Sequence, residues 1–280
     1  DDVTAQYIRF TAIEALNADW GNKFYEFRVF NYPESPLAVL NLEAESPICK
    51  VGESVKLSFS GTDTYGRPKE IAPTYTITPA TAGTITDNVF TADETGVAQI
   101  VASYDEMSSE PIYIACYSGA NLAKGALKEE SGHEGNEDAS RALDGNDGSQ
   151  WVSHAGTAGS EEARTYDAWF TIDLGGFYSI DLITIKYEGA CAQDYHIDFS
   201  TDYENWETGY NYVGKNGVDG RKDIVCAPAL TNAEEVRYIR YYMTKAATEY
   251  GMKMYEFQVY GTLIPDTEKP VMLGAELIDS

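Results

Sequence analysis

Arg141-Ala142-Leu143-Asp144-Gly145-Asn146-Asp147-Gly148-Ser149-Gln150-Trp151 crowds oxygen donors into a short run that ends on a large aromatic side chain. Asp144, Asn146, Asp147 and Ser149 supply carboxylate, amide and hydroxyl oxygens, and the glycines let main-chain carbonyls turn inward. That is the donor chemistry of a hard cation such as Ca²⁺, which takes roughly six to eight oxygens. The same residue types also make plain turns. An EF-hand is excluded, because the Asp/Asn/Gly offsets are one short and Ala155 stands where that loop needs its bidentate Glu. On spacing alone, turn and cation loop both stay open.

No catalytic constellation accompanies this run. His133-Glu134 begins like a zinc-hydrolase helix, but no histidine follows at the required spacing and the context is glycine-rich loop. His133, His154 and His196 have no Gly-x-Ser-x-Gly elbow, and no phosphate-cradling glycine loop is present. A glycosidase carboxylate pair is not excluded by counting, but at a net charge of −25 most carboxylates are solvated surface. The expectation is a chain that does no catalysis itself.

The 280 residues give room for about two domains. The acidic balance argues against nucleic acid and anionic membrane, which require basic patches, and no apolar run is long enough to insert into a bilayer. The 21 tyrosines, with many Thr, Val and Ile, favour strands. There is no initiator Met or signal peptide and the first residues already read as strand, so the expectation is a piece of a longer protein. Cys49, Cys116, Cys191 and Cys226 lack the Cys-x-x-Cys spacing of zinc sites. Two fall in each larger segment, which leaves both intradomain disulfides and reduced buried thiols open.

Residues 1–32 hold two strand-like runs, Gln6 to Ala15 and Phe24 to Phe30, and they repeat a later part of the chain. Tyr7-Ile8-Arg9-Phe10 recurs as Tyr238-Ile239-Arg240-Tyr241, and Trp20-Gly21 as Tyr250-Gly251. Phe24-Tyr25-Glu26-Phe27-Arg28-Val29-Phe30 recurs as Met254-Tyr255-Glu256-Phe257-Gln258-Val259-Tyr260. Residues 1–32 therefore read as the C-terminal fragment of a domain whose complete copy comes later, with unpaired strand edges and an uncovered apolar face. Pro33 to Pro36 is a linker.

Residues 36–118 alternate short strands with turns: Val55, Leu57 and Phe59 on one face, then Tyr75 and Ile77, then Ala98, Ile100 and Ala102. Val51-Gly52-Glu53-Ser54-Val55-Lys56-Leu57, Gly83-Thr84-Ile85-Thr86 and Thr95-Gly96-Val97-Ala98-Gln99-Ile100 resemble bacterial Ig-like modules, which implies a small β-sandwich acting as a spacer.

Residues 119–262 carry the acidic run, then Ala168-Trp169-Phe170-Thr171-Ile172-Asp173-Leu174-Gly175. Ile183, Ile185 and Tyr187 share a strand face, and Tyr195, Ile197 and Phe199 lead into Ser200-Thr201-Asp202-Tyr203-Glu204-Asn205-Trp206. With the last strands, Val236 to Met243 and Met254 to Tyr260, this order resembles the discoidin or coagulation factor V/VIII type C family, which includes family 32 carbohydrate-binding modules. The overall expectation is all-β: an Ig-like β-sandwich followed by a discoidin-type antiparallel jelly roll, with residues 263–280 a linker and the start of a further module.

The resemblance implies a structural Ca²⁺ held by the carbonyls of Arg141 and Ser149, by Asp144 and Asn146, by the Tyr255 carbonyl and by the Glu256 carboxylate. Glu256 sits among core-type residues, where an unpaired charge is costly; a cation gives it a partner and favours the metal over the bare turn. Glu26 occupies the matching place of the first copy without its loop, so no second site is expected. The resemblance also implies a sugar pocket in loops at one end of the sandwich, offering His154, then Tyr187, Glu188 and Gln193, then Glu249 and Tyr250. Galactose-binding members use an Arg in the second loop, where this chain has Glu188-Gly189-Ala190-Cys191-Ala192. The function implied is a non-catalytic, Ca²⁺-stabilised module binding a terminal sugar, in a secreted, extracellular, cell-surface or periplasmic bacterial protein that degrades glycans. Two alternatives stay open: a protein-adhesion or spacer module, and part of a glycoside hydrolase whose catalytic domain lies elsewhere.

Overall fold

Strands with a side-chain period of two bury one face and wet the other, so each amphipathic run needs a second layer to cover it. The computed structural model describes residues 8–11, 26–28, 35–153, 164–214 and 222–265. The chain divides into two compact units, 1–36 and 37–280.

In the first unit, the described stretches 8–11 and 26–28 carry no strand, and most of the two runs expected at Gln6 to Ala15 and Phe24 to Phe30 lies outside the described residues. Phe10 and Phe27 meet at 6.3 Å between ring centroids, yet Ile8, Phe10 and Phe27 stay more than half exposed. Glu26 pairs with its neighbour Arg28 at 2.5 Å.

The second unit begins with a two-sheet sandwich. Its strands are β1 (Leu37–Ala44), β2 (Ile48–Lys50), β3 (Ser54–Asp63), β4 (Pro68–Lys69), β5 (Thr74–Thr78), β6 (Gly83–Thr86), β7 (Val89–Ala92), β8 (Gly96–Tyr104), β9 (Met107–Ser108) and β10 (Ile112–Tyr117). One sheet runs β1-β3-β7-β6 with β4 on β3; the other runs β2-β10-β8-β5 with β9 on β8. Val55, Leu57, Ala98, Ile100 and Ala102 fill the core between them with Phe90 and Ile114, so the alternation read from the sequence selects the inner faces.

The remaining strands are β11 (Leu127–Glu130), β12 (Trp151–Val152), β13 (Ala168–Tyr187), β14 (Ala192–Ser200), β15 (Glu207–Val213), β16 (Lys222–Cys226), β17 (Val236–Ala246) and β18 (Lys253–Leu263). β13 is long enough to serve both layers of an antiparallel jelly roll. Ala168–Asp173 pair with β17, which continues to β14 and β15; Tyr178–Tyr187 pair with β18 and β16. The change of partner falls at Gly175, whose φ of 73° is open to glycine at little cost. Trp151, Phe170, Tyr241 and Phe257 pack edge-to-face and stacked at the centre, with ring centroids 5.2–6.3 Å apart. Asn121 pins the entry to this layer by accepting from the Ala123 and Val259 amides, each at 3.0 Å.

The outward face of β14 and β17 carries a ladder of charge and rings. Asp198, only 2% exposed, accepts from Arg240 Nη2 at 2.7 Å and Nε at 2.9 Å, and from Thr208 at 2.9 Å; it also pairs with His196 Nδ1 at 2.8 Å. His196 stacks on Tyr242, and the Arg240 guanidinium lies 4.5 Å from the Trp206 ring centroid.

The two sandwiches share a small apolar contact. Ala115, Leu182 and Tyr260 are buried together with Ile48, Tyr117, Ile224 and Cys226 against them, and the Tyr117 and Tyr260 centroids lie 4.1 Å apart. Leu182→Ala is therefore expected to cost about 2–5 kcal/mol and to separate the melting of the two sandwiches. Calorimetry that finds the variant melting in an unchanged single transition would show that this contact couples nothing.

Candidate functional site

The acidic run folds as a loop after a short 3-10 turn at Ala139–Ala142 and closes against β18. Gly145 takes φ 77°, which bends the loop so that the Asn146 amide donates to Asp144 Oδ1 at 2.7 Å and to Glu256 Oε1 at 2.8 Å. Three acceptor oxygens converge on one hydroxyl: Ser149 Oγ lies 2.6 Å from Asp144 Oδ2, 2.9 Å from the Asn146 carbonyl and 3.4 Å from the Arg141 carbonyl. A hydroxyl has one proton and can satisfy only one of them. Glu256 is 2% exposed, and its Oε2 is buried with no hydrogen-bond partner among the described residues. Burial and the neighbouring Asp144 carboxylate push the Glu256 carboxyl up to about 7.

Acceptors outnumber donors, and the donor set is hard oxygen, so these residues fit Ca²⁺. Among the described residues no three His, Cys, Asp or Glu side chains cluster as metal ligands. The site brings two carboxylates, Asp144 from the loop and Glu256 from β18, and its other oxygens are hydroxyl, amide and carbonyl. Tyr255 precedes Glu256 on β18, and its ring lies 5.9 Å from Lys186 Nζ. Lys186 also pairs with Asp147, which takes that carboxylate to the rim of the loop.

The same end of the sandwich carries the three loops expected to hold a sugar. Main-chain bonds lace them together: Ala247 N to Cys191 O at 2.9 Å, Lys253 N to Ala190 O at 2.8 Å, and Ala246 N to Arg164 O at 2.7 Å. Ser153, fully buried, meets the Tyr166 hydroxyl at 2.8 Å, and both oxygens accept from Met252 N at 3.0 Å.

Tyr187 is a correction. It is fully buried, and its hydroxyl meets that of Tyr241 at 2.8 Å, so it is a core residue and presents no ring to a ligand. The strand parity it shares with Ile183 and Ile185 turns it inward. Glu188 and Gln193 are half-buried and engaged: Glu188 accepts from Ala190 N at 2.8 Å and Gln193 from Arg164 Nη2 at 2.8 Å. Glu249 is half-buried, and Tyr250, 67% exposed, presents its ring to solvent. His154 lies outside the described residues. The sequence reading missed Arg164 and Tyr166. Arg164 reaches from the first loop to Gln193 and to the Ala246 carbonyl at 3.3 Å, so an arginine does enter this loop cluster, though not from the second loop. Its only sequence signal was a lone basic residue in an acidic stretch.

Residues 126–257 match the F5/8 type C domain. Chitosan-binding module 1 of a chitosanase/glucanase from Paenibacillus sp. IK-5 is 30% identical; the match covers 51% of this chain and 100% of that one, with a TM-score of 0.42. Module 2 of the same enzyme, solved with chitotriose, is 29% identical over 50% of this chain and 100% of that one, with a TM-score of 0.41. CBM32-1 from a family 31 glycoside hydrolase of Clostridium perfringens is 21% identical over 48% of this chain and 92% of that one, with a TM-score of 0.37. No curated protein matches the chain.

Proposed function

Since this chain belongs to the F5/8 type C family through residues 126–257, we propose that it acts as a non-catalytic carbohydrate-binding module, with its ligand at the loops around Arg164, Gln193, Glu249 and Tyr250. The observation that carries this reading is the likeness, at 30% identity and over its whole length, to a chitosan-binding module. The chemistry of the loops supports it: an exposed tyrosine ring for the apolar face of a sugar, and an arginine with amide and carboxylate groups for its hydroxyls.

The ligand class proposed is an oligosaccharide of glucosamine, whose ammonium groups suit a chain of net charge −25 with Glu188 and Glu249 in these loops. The proposal includes a structural Ca²⁺ in the oxygen-lined loop, held by Asp144, Asn146, Ser149, Glu256 and the Arg141 and Tyr255 carbonyls. It also includes a secreted or surface-exposed parent that degrades glycans.

One aromatic contact and a few solvent-competed hydrogen bonds give a Kd on the order of 0.1–1 mM. Titrating isotope-labelled chain with chitotriose and with neutral N-acetylglucosamine, N-acetylgalactosamine, galactose and fucose ligands tests the reading. Expected are shifts confined to the three loops, weakened at least several-fold by Tyr250→Ala, with chitotriose binding falling as salt rises. No shift with any sugar at tens of millimolar would defeat it and favour a protein-adhesion role.

A further inference from the structure

Cys49 and Cys116 are distant in sequence and opposite one another in the fold. β2 and β10 pair in parallel, with Cys49 in direct register with Cys116. Both side chains are turned into the core of the first sandwich, 4% and 1% exposed. Neighbouring strands lie about 4.8 Å apart, inside the roughly 4.4–6.8 Å window of Cα separations that a disulfide bridges. Neither thiol is committed to a strong partner: Cys49 Sγ contacts the Glu53 carbonyl at 3.3 Å and Cys116 Sγ the Ile114 carbonyl at 3.7 Å. The other two cysteines are not so placed. Cys226 pairs with Leu182 within β13, whereas Cys191 lies beyond the far end of that strand at Tyr187.

We propose that Cys49 and Cys116 form a cross-link site, closed during folding by a low-molecular-weight disulfide such as glutathione disulfide. One thiolate attacks the reagent disulfide and releases one glutathione thiol. The second thiolate then attacks the mixed disulfide, forming the Cys49–Cys116 bond and releasing the second glutathione thiol. The protein pair gives up two electrons and two protons, and the reagent disulfide is reduced to two thiols. Burial raises both cysteine thiols, Cys116 to about 11, so little thiolate exists once the core has closed and exchange in the native protein is slow. The bond would fasten the three-residue β2 to β10, one residue before Tyr117 reaches the contact with the second sandwich.

The test is to unfold the full chain in denaturant with reductant, then refold it either in a glutathione–glutathione disulfide buffer or in reductant. After oxidative refolding, thiol titration of the denatured product should find two of the four thiols lost, and peptide mapping should join Cys49 to Cys116. Melting of the first sandwich should rise on the order of 10 °C. The folded, reduced protein should oxidise at least about tenfold more slowly than the unfolded chain. The Cys191→Ala/Cys226→Ala variant should still lose two thiols, and Cys116→Ser should not form the bond. Four surviving thiols, a different mapped pair, or an unchanged or lower melting temperature on cross-linking would each overturn the proposal.

Discussion

Calcium added to chelator-treated protein is expected to raise the melting temperature of the jelly roll by about 10 °C, and Glu256→Gln to abolish most of that rise. A ligand at about a thousand times its Kd stabilises the state it binds by about 4 kcal/mol, and a domain of this size gains roughly 2–4 °C per kcal/mol. The physical basis is the imbalance in the loop. Glu256 is buried with one oxygen unpartnered among the described residues, and the Asp144 carboxylate is its neighbour. Without a cation this is an uncompensated buried charge, and the fold partly relieves it by holding the proton.

The sign follows from the raised carboxyl. Its folded value of about 7 lies above the ordinary carboxyl range, so between that range and pH 7 the chelated fold binds more protons than the unfolded chain and loses stability as pH rises. Calcium should therefore help most near pH 8 and least near pH 5, where Glu256 is protonated. In chelator, Glu256→Gln should be neutral or stabilising near pH 8, since it removes the charge and keeps the shape. Equal melting with calcium and with chelator at pH 8 would dispose of the cation. So would a calcium effect that survives Glu256→Gln.

The second large effect is expected at Arg240. Arg240→Leu leaves Asp198 buried with only His196 and Thr208 beside it, at a cost of about 3 kcal/mol; the double variant with Asp198→Leu should regain most of that loss. Burial alone would raise the Asp198 carboxyl, but hydrogen bonds from His196, Arg240 and Thr208 outweigh it and hold it below the ordinary value. A lowered carboxyl contributes stability that is present above about pH 4, its unfolded value, and is lost as pH falls through the folded value. Arg240→Leu should thus move acid unfolding toward neutral pH. Urea midpoints at pH 3, 5 and 7 measure it; identical midpoints for wild type and variant would show that the ladder is held by its rings alone.

Much of this was legible in the residues, because a strand's burial pattern is local. Alternation identified the inner faces at Val55, Leu57, Ala98, Ile100 and Ala102 and at Ile183 and Ile185. Glu256 between apolar neighbours marked a carboxylate needing a partner, and the order of motifs identified the family. Tyr187 was legible too: it shares a face with Ile183 and Ile185, and the same rule that places them in the core places it there. What only the tertiary structure decided is which distant segments meet. Arg164 joins Gln193 and Ala246, three oxygens crowd one hydroxyl at Ser149, and Cys49 faces Cys116 while Cys191 and Cys226 stay apart. A period of two says which way a side chain points, but the strand beside it is chosen by how all the apolar faces close over one another, and that choice is not local.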